Sequence, residues 1–164
     1  MNYRIGFGYD VHALQKGRQL VLGGVKIPYP LGLAGHSDAD VLLHAVMDAI
    51  LGAASLGDIG GHFPPGDPGY KDISSIILLN KVNQLLQEAG FKVVNVDSTL
   101  VAENPRLSPY VEDMCLVIAR ALDLEKNAVS VKATTTESLG FAGRGEGIAA
   151  YAVVLIETGP RERC

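Results

Sequence analysis

The sequence predicts an α/β (α+β) sandwich. Four long strands form one sheet, helices cover one of its faces, and a small β-hairpin stands beside it. Two observations carry this reading. Four β-rich segments are separated by long helical segments, the pattern of a layered domain. Glycine and proline clusters then mark the breaks between those segments.

In chain order, residues 3–11 read as a strand that ends in "GYDVHAL". "RQLVLGGVKIPYP" (18–30) reads as a short hairpin around Gly23-Gly24. "SDADVLLHAVMDAILGAASLG" (37–57) reads as a helix, with Ser37 as N-cap, Asp38 and Asp40 in its first turn and Gly57 at its end. Residues 57–72 hold five glycines and three prolines and read as a loop. A second helix is expected over about 72–89, ending at Gly90. A strand is expected over 91–103, and a helix over 108–124 with Pro109 in its first turn. A strand over 128–135, a turn-rich connection over 136–147 and a closing strand over 148–157 complete the chain. Residues 1–164 are expected to form a single domain, with about 158–164 as a flexible tail.

The 164 residues are 48% hydrophobic and 20% charged, enough to bury a core. Fourteen basic residues against 18 acidic give a net charge of −4, and no basic patch suggests a nucleic-acid partner. No apolar run reaches the length needed to span a membrane. The N-terminus lacks a signal or transit pattern, so a cytoplasmic location is expected; a mature organellar form would read the same. The two cysteines, Cys115 and Cys164, do not suggest a disulfide framework.

Three groups of polar residues call for chemistry. Asp10 and His12, two apart on a strand, share one face. They read equally as a metal clamp, a catalytic dyad or a strand end meeting water. Asp40, His44 and Asp48 recur every four residues on an otherwise apolar helix. A solvated face is the plain alternative, but the helical segment 37–57 carries no Lys, Arg or Glu. Two imidazoles and a carboxylate, His12, His44 and Asp10, have the donor types of a three-ligand zinc site with an open fourth position, although no HExxH pattern or cysteine cluster accompanies them and a structural role for any single histidine is the plainer reading. His36 and Ser37, just before the helix, sit where an anion is favoured. Asp58 lies in the glycine-rich loop, where it can accept from a substrate hydroxyl or simply cap a turn. Thr134, Thr135 and Thr136 offer hydroxyls and N–H groups to phosphate oxygens, and Glu137 suits a hard cation. The alternative there is a capping box from Thr134 to Glu137.

Taken together, "GYDVHAL", "GHSDADVLLHAVMDAILGAASLGDIG", "FPPGDP" and "VKATTTESLGFAGRGEGIA" resemble the 2-C-methyl-D-erythritol 2,4-cyclodiphosphate synthase family, over about residues 4–157. The resemblance implies a mixed sheet and a homotrimer with its sheets around a central axis and its active sites between subunits. It implies conversion of 4-diphosphocytidyl-2-C-methyl-D-erythritol 2-phosphate to the cyclodiphosphate with release of CMP, in the non-mevalonate isoprenoid pathway. Asp10, His12 and His44 match zinc ligands, and Glu137 matches a ligand of a second cation, Mg2+ or Mn2+. His36 and Thr135 match residues that stabilise the transition state. His36, Ser37, Asp58, Ile59 and Gly60 match the methylerythritol phosphate side. Ala102 to Ser108 (Pro105, Arg106 and Leu107 among them), with Ala133, Thr134 and Thr135, match the cytidine diphosphate pocket of the adjoining subunit, and Val11, Phe63, Asp67 and Thr136 match further substrate-binding positions. Phe141 and Arg144, with Glu146, match a region that reaches the trimer axis, where a prenyl diphosphate can sit in a central channel.

Two departures stand out. Pro65 replaces an Asp common in the family, and Arg106-Leu107-Ser108 replaces a Lys-Met-Leu run. The implied chemistry suits the composition, because a phosphate dianion is already a nucleophile near neutral pH. The remaining obstacle is anion–anion repulsion, which divalent cations relieve. The rival readings are a zinc phosphohydrolase and a trimeric binding protein with a structural zinc.

Overall fold

The structure is a computed structural model, and it describes residues 2–64 and 66–158. Strand β1 (Tyr3–Lys16) is followed by β2 (Leu20–Leu22), β3 (Val25–Ile27) and β4 (Leu31–Leu33). Helices α1 (Val41–Ala54), α2 (Ile59–His62) and α3 (Ser75–Glu88) precede β5 (Phe91–Val101). Then come α4 (Val111–Ala121), β6 (Val129–Thr134), α5 (Gly140–Gly143) and β7 (Gly147–Thr158). The main sheet has the order β4-β1-β7-β5-β6, and β2 with β3 forms the expected hairpin. Only β5 and β6 run parallel, so the sheet is mixed.

The sheet has five strands, not the four expected. β1 runs on past Val11 to Lys16, and this extension offers an edge to which Leu31–Leu33 adds antiparallel. Three residues, one of them glycine, carry too little pattern to be read as a strand. Two stretches read as loops contain short helices, α2 and α5. Thr158 closes β7, while the rest of the expected tail (159–164) and the Pro65 departure lie outside the described residues.

The inner face of β1 places Gly6, Gly8, Asp10 and His12 in a row, as a period of two requires. α1 crosses directly over it. A Cβ at Gly6 would stand 1.8 Å from the Ala49 carbonyl oxygen, and one at Gly8 would stand 1.9 Å from that of Ala45. Only glycine permits this approach of helix to strand. It brings α1 close enough for His44 to reach the two side chains beyond the glycines.

The polar stripe on α1 is not a solvated face. Asp40 is fully buried and is the N-cap, in place of the expected Ser37; its carboxylate accepts from Leu43 N–H at 3.1 Å. It also accepts from Gly23 N–H at 2.9 Å and Gly24 N–H at 2.7 Å, joining the hairpin tip to the helix start. Burial pushes this carboxyl up to about 6, against the pull of the three N–H donors. Asp48 accepts from Ile59 N–H at 2.9 Å and so fixes the loop after α1. On the outer sheet face Ile5, Phe7, Tyr9, Tyr151 and Val153 are exposed, an apolar surface opposite the helices.

Candidate metal centre and substrate clefts

Asp10 and His12 come from β1 and His44 from the second turn of α1. Their atoms converge: Asp10 Oδ2 lies 2.9 Å from His12 Nε2 and 3.0 Å from His44 Nδ1, and the two nitrogens are 3.1 Å apart. Ligands about 2.0–2.1 Å from one tetrahedral ion lie roughly 3.3 Å from each other. The three atoms therefore fit the corners of one zinc coordination face. They are also the one cluster of three or more such donors among the described residues.

The surroundings set the rings. His12 Nδ1 lies 2.7 Å from the Ala34 carbonyl oxygen, which can only accept, so Nδ1 carries the proton and Nε2 turns its lone pair to the cluster. His44 Nε2 lies 3.1 Å from Ser75 Oγ and 3.3 Å from Ser37 Oγ. Burial alone would raise the Asp10 carboxyl, but the hydrogen bonds and charges of His12 and His44 hold it well below the usual carboxylate range. Burial likewise lowers the His12 imidazole, and Asp10 more than reverses it. One carboxylate thus stays ionised between two imidazole nitrogens, in a space that suits a cation.

The cluster opens into a cleft of about 220 Å³, lined also by His36, Ser37, Ile59, Gly60 and Phe63. Tyr70 and Leu78 line it too, and sequence reasoning missed both. His36 Nε2 donates to the Asp67 carbonyl at 3.1 Å, and Asp67 itself accepts from Gly69 N–H. Asp58 caps α2 by accepting from Gly61 N–H at 2.9 Å, the turn-capping role weighed in the sequence, and it is exposed beside the cleft. Val11 points to the opposite sheet face from Asp10 and His12, away from the cluster.

A second cleft, of about 390 Å³, lies where β5 and β6 end. Its walls are Ala102, Pro105, Arg106, Leu107, Ser108, Ala133, Thr134 and Thr135, with Glu103. Glu103 lies inside the expected pocket run 102–108, and its role there is to organise this wall. One oxygen, Oε1, accepts from Thr136 N–H at 2.9 Å, Thr136 Oγ1 at 3.2 Å and Ser138 N–H at 3.1 Å. These bonds brace Glu137 and Ser138, both left-handed at φ 53° and 66°. No capping box forms; Thr135 Oγ1 donates to Glu137 Oε1 at 2.9 Å instead. Phe141 and Arg144 belong to neither cleft, and Arg144 pairs with Glu146 at 2.8 and 3.1 Å.

The chain does not bring its two clefts together. The first is on β1 and the second on β5 and β6, and β7 lies between. At about 4.8 Å per strand, β1 and β6 stand roughly 14 Å apart across the sheet.

The comparisons with known proteins agree on one family. A model described as the YgbB family matches residues 3–157. A 2-C-methyl-D-erythritol 2,4-cyclodiphosphate synthase of Syntrophomonas wolfei is 66% identical over 154 residues, 94% of this chain and 98% of that protein. The structure of the bifunctional IspDF from Campylobacter jejuni superposes with a TM-score of 0.92 at 43% identity, covering 96% of this chain and 42% of that one. A Plasmodium falciparum IspF in complex with CDP superposes at 0.84 with 32% identity, covering 96% and 97% of the two chains.

Proposed function

We propose a mechanism that starts from one premise: this chain belongs to the YgbB family and is a lyase that makes 2-C-methyl-D-erythritol 2,4-cyclodiphosphate in isoprenoid biosynthesis. The substrate is 4-diphosphocytidyl-2-C-methyl-D-erythritol 2-phosphate. An oxygen of its 2-phosphate attacks the β-phosphorus, the bond from that phosphorus to the α-phosphate oxygen breaks, and CMP leaves. The nucleophile is ionised near neutral pH, so no side chain has to remove a proton.

The observation that carries this is the convergence of Asp10 Oδ2, His12 Nε2 and His44 Nδ1 at the floor of one cleft. These atoms would hold Zn2+, and Glu137 would hold Mg2+ or Mn2+ together with the substrate diphosphate. When bound, the cations supply the positive charge that lets one anion approach another. The protein's own part is positioning. His36, Ser37, Asp58, Ile59 and Gly60 receive the methylerythritol phosphate, with Phe63 and Asp67 along that loop and the Val11 backbone beside it. Ala102, Pro105, Arg106, Leu107, Ser108 and Ala133 receive the cytidine diphosphate. Thr134 and Thr135 donate to phosphate oxygens, and Glu103 keeps their turn in shape by holding the N–H and hydroxyl of Thr136. His36 and Thr135 steady the charge that shifts in the transition state.

Two half-sites at separate places on one sheet favour an active site completed by a second copy. The exposed apolar face of β1 and β7 suits that association, and we read the assembly as a homotrimer with three shared sites. Phe141 and Arg144 would then face its axis, where Arg144 can meet the head of a prenyl diphosphate. Residues 1–164 act as one catalytic domain in this reading. No described helix is long and apolar enough to cross a membrane, and we place the enzyme in the cytoplasm.

Subunit mixing tests the shared site. His44→Ala and Glu137→Ala are each expected to be inactive alone. Random reassembly of equal amounts should restore roughly a quarter of wild-type activity, because one site in four pairs two intact halves. A mixture as inactive as its parents would place both halves of the site in one chain.

A further inference from the structure

We propose that Ser75 and Asp38 are positioning residues for the metal centre: they bias the tautomer of His44 from behind. The inference rests on the reading of Asp10, His12 and His44 as zinc ligands. Ser75 is the first residue of α3 and is fully buried, and Asp38 lies in the segment before α1. Ser75 Oγ donates to Asp38 Oδ1 at 2.5 Å, and Ser75 N–H donates to Asp38 Oδ2 at 3.0 Å.

The direction of these bonds follows from the chemistry of the groups. An ionised carboxylate only accepts, so the single hydroxyl proton of Ser75 is committed to Asp38. Ser75 Oγ can then only accept from His44 Nε2, 3.1 Å away. Ser75 Oγ therefore favours the ring proton on Nε2 and frees the Nδ1 lone pair for a cation, against the pull of the Asp10 carboxylate, which competes for a proton on Nδ1 in the metal-free protein. That lone pair faces Asp10 Oδ2 at 3.0 Å and His12 Nε2 at 3.1 Å, the side on which a metal would bind. His12 is held by the Ala34 carbonyl in the mirror sense, through Nδ1. The two imidazoles are therefore biased toward opposite tautomers by two different acceptors. Ser37 Oγ also lies 3.3 Å from His44 Nε2, but it already accepts from Ala39 N–H, and its own proton is free to turn toward the ring. Alone, it would not fix the tautomer.

Outer-shell partners of this kind are worth about 10- to 100-fold in metal affinity. The test uses metal-free protein at about pH 8, above the ordinary histidine range. Nitrogen NMR of the ring reports the tautomer, and competition with a chromophoric chelator reports zinc affinity. In the wild type the Nε2-protonated form of His44 should be clearly populated despite the Asp10 carboxylate at Nδ1. Ser75→Ala and Asp38→Asn should each move the ring toward Nδ1 and weaken zinc by about 10- to 100-fold. A purely structural role for Ser75 would lower the melting temperature and leave the tautomer unchanged, which would overturn the proposal. So would wild-type zinc affinity in both variants, or a wild-type His44 protonated wholly on Nδ1. A wild type that binds no zinc would overturn the metal reading as well, which separates the two failures.

Discussion

His44→Ala is expected to lower turnover by about 10³-fold or more while leaving the chain folded. Loss of one of three ligands removes the cation from the cleft, and several kcal/mol of charge stabilisation convert at about 1.4 kcal/mol per decade of rate. The fold should survive for a reason visible around the ring. His44 touches Ser37 and Asp10 at the cleft and the buried Ser75 behind it, and the surrounding α1 core of Leu42, Leu43, Met47 and Ile50 does not depend on it. The small cavity and the released Ser75 acceptor cost about 1–3 kcal/mol, against a usual total of about 5–15. Steady-state kinetics together with zinc content and circular dichroism check this. Near-wild-type turnover in a folded, zinc-free variant would remove His44 from the site.

Gly8→Ala should do the opposite, and destroy the fold that holds the site. The new Cβ would lie 1.9 Å from the Ala45 carbonyl oxygen and 2.8 Å from Ala49 N, both backbone atoms of α1. Neither can rotate away, so α1 must lift off β1. The layer beneath α1 includes Ile148, Ala150 and Ala152 of β7 as well, all buried, so a tilt opens the centre of the core. We expect more than about 3 kcal/mol of destabilisation, which is at least roughly 6–12 °C in melting temperature for a chain of this size. Any protein that still folds should bind zinc weakly, because lifting α1 carries His44 away from Asp10. A melting temperature within a few degrees of wild type would show that the contact between α1 and β1 is looser than the geometry indicates.

The two predictions mark what could be read in the sequence. The Asp10/His12 pair was legible because two residues two apart on a strand must share a face, and His44 because a histidine among apolar helical residues needs a reason. Gly6 and Gly8 extend the same row, but nothing local says that a helix will cross them. Ser37 looked like the helix cap, since a serine before a helical pattern usually is; Asp40 caps instead, because its carboxylate also serves the hairpin tip at Gly23 and Gly24. β4 was hidden by its length. The polar roles that the sequence does not show share one cause. Asp38 meets Ser75 across 37 positions, and Glu103 meets Thr136 and Ser138 across 33 and 35. Such pairs leave no periodicity, so only the fold reveals that a loop carboxylate is the brace of a distant turn. The separation of the two clefts was likewise out of reach without the strand order.

The most direct test of the account is phosphorus NMR of the purified protein with Zn2+, Mg2+ and 4-diphosphocytidyl-2-C-methyl-D-erythritol 2-phosphate. Cyclic-diphosphate resonances should grow in step with CMP as the substrate signals disappear. CMP appearing with a linear bisphosphate would mean that water, not the substrate's own phosphate, attacks in this cleft, and would contradict it.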